Sequence, residues 1–91
     1  MASTKELKDD INSVTYDLIH ECFTYKTYHP EKDGETDKVI RDIIKLRNEL
    51  IHRVNNPADK DDPKKLKAFF NKIKVDLGKS VELVEDLSKD G

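Results

Sequence analysis

The chain has 91 residues, of which 17 are Lys or Arg and 19 are Asp or Glu, giving a formal net charge of −2. This length suits one small domain, and the near-neutral charge excludes a globally basic nucleic-acid-binding protein. The single cysteine, Cys22, excludes an intramolecular disulfide framework and a thiolate cluster for structural zinc. Since the sequence shows neither a membrane-spanning apolar run nor a signal peptide, we expect a cytoplasmic protein.

Two proline-containing segments, residues 29–35 and 55–63, separate three stretches in which apolar residues recur every three or four positions. This spacing predicts helices over about residues 4–28, 36–55 and 63–88. No strand is expected, because no β-branched run alternates with polar residues.

Each predicted helix has a start signal. Ser3 and Glu6 have the spacing of a capping box before the first helix. Thr36 is the predicted N-cap of the second helix. Asp62 is the predicted N-cap of the third, and Pro63 takes its first position, where the missing N–H costs no hydrogen bond.

Each predicted helix also has an apolar face. If the three faces are directed at one axis, the helices form an antiparallel three-helix bundle with up-down-up topology. We expect residues 1–91 to form this single all-α domain. So small a core stabilises the fold only modestly, and self-association would add to it. The predicted core residues are Leu7, Ile11, Val14, Leu18, Cys22 and Tyr25 in the first helix; Val39, Ile40, Ile43, Ile44, Leu46, Leu50, Ile51 and Val54 in the second; and Leu66, Phe69, Phe70, Ile73, Leu77, Val81, Val84 and Leu87 in the third.

Arg47 lies in the middle of the apolar face of the second helix, where a guanidinium needs a carboxylate, phosphate or carbonyl partner. The first interpretation is structural: Arg47 pairs with Asp10, Asp17 or Glu21 on the first helix, or extends past its neighbours to solvent. The second is functional: Arg47 faces a ligand or an RNA phosphate.

The string Arg47-Asn48-Glu49-Leu50-Ile51-His52 resembles the Arg-x4–6-His motif of HEPN-domain ribonucleases, in which Asn often follows the Arg. The resemblance implies an all-helical, commonly dimeric protein that cleaves RNA without a metal, or an inactive relative, of the toxin–antitoxin type. It implies that Arg47 binds the scissile phosphate, that His52 is the general acid or base and that Asn48 supports them. On an ideal helix His52 points about 140° away from Arg47.

Metal and cofactor motifs are weak in this chain. Glu49 and His52 have the Glu-x-x-His spacing of di-iron bundles, which need two such pairs, and this chain has one. The three glycines stand alone, so the sequence contains no glycine-rich phosphate loop. We predict no metal, no cofactor and no small-molecule ligand, and an inert Cys22 on the apolar stripe.

A basic segment opens the third helix, with no acidic residue between positions 63 and 75. Such a segment can hold nucleic-acid phosphates at low salt. Because its lysines are spread around the whole non-core side, we favour a solvated face and expect no nucleic-acid partner. The residues concerned are Lys64, Lys65, Lys67, Lys72 and Lys74.

A second apolar row on the first helix consists of Tyr16, Ile19 and Phe23, beyond the reach of a three-helix core. Three apolar residues in one row, two of them aromatic, indicate an interface. The leading hypothesis is therefore an interaction module that contacts a second copy or another protein. A HEPN-like ribonuclease is the alternative, and weak nucleic-acid binding is the third hypothesis.

Overall fold

The computed structural model describes residues 4–57 and 61–89 of the chain. These residues form three long helices and include no strand. The elements are α1 (Thr4–Tyr28), α2 (Asp33–Asn55) and α3 (Pro63–Lys89), with a one-turn 3-10 helix (Pro30–Lys32) between α1 and α2. The prediction of an all-α, three-helix fold is confirmed.

The connection between α1 and α2 is very short. Pro30 disfavours a helical backbone at the residue before it, and α1 accordingly ends at Tyr28. The amide of His29 still donates to the carbonyl of Tyr25 at 2.8 Å, which satisfies one of the last carbonyls of the helix. At the other end of α1, the capping box predicted from Ser3 lies outside the described residues.

The predicted start of α2 is wrong by one turn. The helix begins at Asp33 rather than after Thr36, and its N-cap is Lys32, which makes no side-chain capping bond. Thr36 is instead fully buried in the first turn, where its Oγ1 donates to the carbonyl of Lys32 at 2.9 Å. The physical reason is that the 3-10 turn feeds directly into the helix, so that the backbone is already helical before Thr36.

The predicted start of α3 is confirmed. The carboxylate of Asp62 accepts hydrogen bonds from the backbone amides of Lys64 at 3.0 Å and Lys65 at 3.3 Å. These bonds satisfy two of the amides that a helix start leaves unpaired. Pro63 occupies the first position of the helix.

Two buried clusters run along the axis of a bundle that measures 51 × 19 × 18 Å. One cluster joins the start of α1, the end of α2 and the start of α3, and the other joins the opposite ends of the same helices. Consecutive helices therefore run in opposite directions. The first cluster is Leu7, Ile11, Leu50, Val54 and Ile73, and the second is Leu18, Cys22 and Ile43 with Leu83 and Val84 packed against it.

The sequence pattern misplaced residues in both directions relative to the core. Val81 and Ile44, predicted to be buried, are 37% and 43% exposed, whereas Ser80 and Asp76 are buried. Ser80 Oγ donates to a carbonyl of its own helix at 2.6 Å, and the Asp76 carboxylate accepts a hydrogen bond from α2 at 2.7 Å. The spacing of apolar residues does not identify polar side chains that are buried in the fold. Such side chains are buried because they find hydrogen-bond partners there.

Candidate functional site

One row of α1 residues faces α2. Asn12, Ile19 and Lys26 are seven positions apart, which is close to two helical turns, and so they lie in line. At one end, Asn12 Oδ1 accepts a hydrogen bond from Arg47 Nε at 2.9 Å. At the other end, Lys26 Nζ donates to Asp37 Oδ1 at 2.9 Å. Ile19 lies between these contacts and packs against the second buried cluster.

α2 presents a matching row to α1. Asp37, Ile40, Ile44 and Arg47 follow one another at spacings of three or four, which places them on one face of the helix. Ile40 packs against the second buried cluster, whereas Ile44 remains partly exposed. The polar contacts at both ends align the two rows, so the α2 row that contains Ile40 and Ile44 runs beside Ile19 along the groove between α1 and α2.

Two exposed aromatic side chains stand beside this groove. Tyr16 and Phe23, three residues before and four after Ile19, project from the same side of α1. Their exposed fractions are 69% and 54%. We call the surface formed by Tyr16, Ile19, Phe23, Ile40 and Ile44 the outer face.

α3 packs on the other side of the α1–α2 pair. Its contact with α1 includes the Tyr25 hydroxyl, which donates to the carbonyl of Leu87 at 3.2 Å. Its contact with α2 includes the ion pair of Arg53 with Asp76 at 2.7 Å. Tyr25 follows Phe23 by two residues and therefore points to nearly the opposite side of α1. The outer face is thus turned away from α3.

The structure brings the three residues of the predicted interface together. Tyr16 and Phe23 are exposed as expected, whereas Ile19 is partly buried because it packs towards α2. Ile40 and Ile44 were not predicted as part of this surface, since they continue the apolar rows of α2 and were assigned to the core. The exposed position of Ile44 follows from how α1 sits against α2, which periodicity alone does not reveal.

The ion pair suggested for Arg47 is not found among the described residues. The guanidinium instead donates to two neutral amides, Asn12 Oδ1 at 2.9 Å and Asn48 Oδ1 at 3.0 Å. The suggested carboxylates lie at least about 140° around α1 from Asn12 and so face away from α2. They are Asp10, Asp17 and Glu21.

Arg47 and His52 contact different parts of the protein. Asn48 Oδ1 accepts a hydrogen bond from Arg47 Nη1 at 3.0 Å. His52 is exposed near the end of α2, where its Nδ1 lies 3.5 Å from Nδ2 of Asn56. No contact between Arg47 and His52 is found in the described part of the chain, and their joint role in RNA cleavage stays a prediction.

The five lysines at the start of α3 are all exposed. At 100° per residue they project to both flanks of the helix as well as outward, so they do not form one stripe. The five lysines therefore do not provide the single basic surface that the nucleic-acid hypothesis needs. The residues are Lys64, Lys65, Lys67, Lys72 and Lys74.

Cys22 is a free thiol with no exposed surface, in the second buried cluster. Burial raises the pKa of this thiol, and the neighbouring Glu21 carboxylate raises it further. Both effects disfavour the reactive thiolate. Residues 4–57 and 61–89 contain no group of three or more His, Cys, Asp or Glu side chains able to hold a metal ion. None of their helices is long and apolar enough to cross a membrane.

A shallow recess of about 380 Å³ lies where the ends of α1 and α3 meet. Tyr25, Tyr28 and His29 line it together with Val84 and Leu87. The rings of Tyr25 and His29 stack with their centroids 4.4 Å apart. Tyr28, which is 74% exposed, therefore belongs to a different surface from Tyr16 on the same helix.

No protein-family model, no curated protein and no solved structure matches this chain. Among the surfaces described above, the outer face combines exposed aromatic side chains with an apolar groove between two helices.

Proposed function

We propose that this protein is an interaction module that binds a protein partner, a second copy of this chain or a different protein, through its outer face. The observation that carries the proposal is that Tyr16 and Phe23 are largely exposed beside a groove whose apolar residues come from both α1 and α2. In a chain with 40% charged residues, such a contiguous apolar surface needs a reason. Contiguous exposed apolar patches mark interaction sites, and aromatic residues are enriched at them.

The size of the aromatic surface sets the expected strength. A buried aromatic side chain removes about 150–250 Å² from water. With 69% of Tyr16 and 54% of Phe23 still exposed, roughly 200–300 Å² remains to be buried by a partner. At about 25 cal/mol per Å² this is about 5–8 kcal/mol before the cost of association, which consumes much of it. We therefore expect a reversible contact rather than a permanent complex.

The polar ends of the groove favour a defined partner orientation. Arg47 and Asn12 close one end, and Lys26 with Asp37 closes the other. A polar rim around a small apolar centre is the usual anatomy of a protein interface. A helix laid along the groove would bury the apolar centre while the rim stays in contact with water. We further propose a cytoplasmic location, where a free thiol such as that of Cys22 stays reduced.

The test uses photo-crosslinking in the native host. A photo-reactive phenylalanine analogue replaces Phe23 in one strain and Tyr28 in another, because both side chains are aromatic, exposed and on α1. We expect an adduct of defined mass from position 23 and none from position 28. The second substitution Ile44→Glu, on the other helix of the same face, should abolish the adduct.

The same experiment can overturn the proposal. It is wrong if position 23 gives no adduct, or if position 28 gives an equal one. An adduct that survives Ile44→Glu would also contradict it, because the outer face as a whole would then not be the contact.

A further inference from the structure

We infer that the outer face binds a second copy of this chain. The two copies are related by a two-fold axis that passes near Ile19, so that α1 of one copy packs antiparallel to α1 of the other. This inference depends on the proposed function, because it names the partner of the same surface. It is carried by the symmetric placement of the apolar residues, by the charges at the two ends of the groove and by the area available.

The apolar residues are placed symmetrically about the middle of the groove. Tyr16 and Phe23 lie on either side of Ile19, three residues before it and four after it. A two-fold rotation about an axis near Ile19 therefore sets Tyr16 of one protomer beside Phe23 of its partner, twice. An isologous contact of this kind needs a surface that is complementary to itself, and this row meets that condition.

The polar contacts at the two ends of the groove differ in charge: a guanidinium on neutral amides at one end, and two carboxylates around one ammonium group at the other. At one end, the described polar partners of the Arg47 guanidinium are the neutral amides of Asn12 and Asn48, and no carboxylate is among them. At the other end, Lys26 Nζ lies 2.9 Å from Asp37 and 3.5 Å from Asp33, so one cation is shared by two carboxylates.

An antiparallel second copy matches these charges. The two-fold rotation brings the Arg47 end of each protomer to the Asp33 and Asp37 end of the other. A parallel arrangement would instead set like ends together. Complementary charges fix register and orientation in protein interfaces, and like charges placed together oppose the wrong arrangement.

The area fits a weak dimer. Two copies bury roughly 400–600 Å² of Tyr16 and Phe23 surface, before Ile44 and the polar rim are counted. Stable interfaces bury roughly 1,200–2,000 Å² in total, and transient ones less. The contact therefore falls below the range of stable interfaces, among transient ones, and we expect a dissociation constant in the micromolar range or weaker and less association at high salt.

Sedimentation velocity over a hundredfold concentration range tests whether the partner is a second copy of this chain. We expect the wild type to shift from monomer to dimer, and Phe23→Glu to remain a monomer throughout. Tyr28→Glu is the matched control, because it places the same charge at an exposed aromatic position on another side of α1. It should dimerise like the wild type. Thermal melts followed by circular dichroism verify that both variants are folded.

Disulfide trapping tests the orientation. Proteins carrying Tyr16→Cys or Phe23→Cys are mixed and oxidised, and Cys22 does not compete because it is fully buried. The antiparallel arrangement predicts that the mixed disulfide forms faster than either disulfide between identical variants, because a disulfide needs Cα atoms within about 7 Å. Wild-type protein under the same oxidant is the control for Cys22.

The outcomes separate the two proposals. A wild type that stays monomeric at the highest concentration overturns the second copy, and a foreign protein crosslinked at Phe23 would then still support the proposed function. Dimers that trap preferentially through identical variants overturn the antiparallel arrangement. A dimer abolished by Tyr28→Glu but not by Phe23→Glu overturns this surface altogether.

Discussion

Arg53 donates a hydrogen bond to Asp76 across α2 and α3, with Nη1 and Oδ2 2.7 Å apart and both side chains largely buried. The Arg53 guanidinium also lies over the ring of Phe69, 5.9 Å from its centroid. Lys79, one turn further along α3, approaches the other carboxylate oxygen at 3.4 Å but is mostly exposed. This carboxylate is therefore held mainly by Arg53, and it joins α3 to the end of α2.

We expect Asp76→Asn to lower the free energy of unfolding by about 2 kcal/mol, because it weakens a charge-assisted hydrogen bond and leaves the buried Arg53 without its counter-ion. Urea denaturation followed by circular dichroism measures the change. Lys79→Ala is the matched control, since it removes the exposed partner of the same carboxylate and should cost less than about 1 kcal/mol. Equal losses for the two variants would show that Arg53 has no special role.

The same pair predicts how stability depends on pH. The hydrogen bond from Arg53 lowers the pKa of Asp76, and the charge of Lys79 adds to this effect. A carboxyl whose pKa is lower in the folded state stabilises the fold fully above its unfolded pKa, near 4. That stabilisation is lost as the pH falls through the unfolded value towards the folded one.

We therefore expect the stability difference between wild type and Asp76→Asn to be constant from pH 5 to 7 and to shrink as the pH falls below about 4. Urea titrations of both proteins at a series of pH values measure it. The comparison cancels the contribution of Glu31, whose pKa is also lowered, chiefly by a hydrogen bond with its own backbone. A difference that persists unchanged down to pH 2 would contradict this assignment.

The helices were predictable from the sequence because apolar spacing and prolines act locally. The Asp62 cap and the end of α1 before Pro30 followed the same local rules. The start of α2 did not, because the 3-10 turn at Pro30 begins the helical backbone earlier than the threonine signal suggested.

The candidate site was only half predictable. The row of Tyr16 and Phe23 is visible in the sequence because it lies outside the core stripe of its own helix. The contribution of Ile44, and the binding of Arg47 by Asn12 rather than by a carboxylate, depend on how α1 is rotated against α2. The rotation of one helix against another is determined by the packing of both. The apolar spacing within a single helix therefore does not predict it.

Arg47 and His52 allow a direct test of the ribonuclease alternative. Because Arg47 binds Asn12 and His52 is exposed elsewhere, we expect purified protein to show no RNA cleavage that depends on both residues. Labelled single-stranded RNA is incubated with the wild type, Arg47→Ala or His52→Ala, and its cleavage is measured. The melting temperature of each variant is compared with that of the wild type to verify folding. If the wild type cleaves RNA and each substitution abolishes cleavage without loss of folding, a HEPN-like ribonuclease becomes the leading functional hypothesis in place of the interaction module.

Gly78 offers a stabilising substitution away from the outer face. It lies in the interior of α3 on an exposed position, and a Cβ atom built there meets nothing within 4 Å. Glycine in a helix interior costs about 0.5–1 kcal/mol relative to alanine, because the unfolded chain loses more conformational freedom on folding. Gly78→Ala should therefore raise the free energy of unfolding by about that amount and the melting temperature by a few degrees.

The matched control for this prediction is Gly34→Ala, which also has open space around the added Cβ but lies in the first turn of α2. The first turn lacks intrahelical partners for its amides, so a gain in helix propensity there stabilises the fold less. Thermal melts of both variants at one low protein concentration make the comparison independent of association. A melting temperature that Gly78→Ala leaves unchanged or lowers would show that the backbone of α3 at this position is not an unstrained, solvent-facing helix.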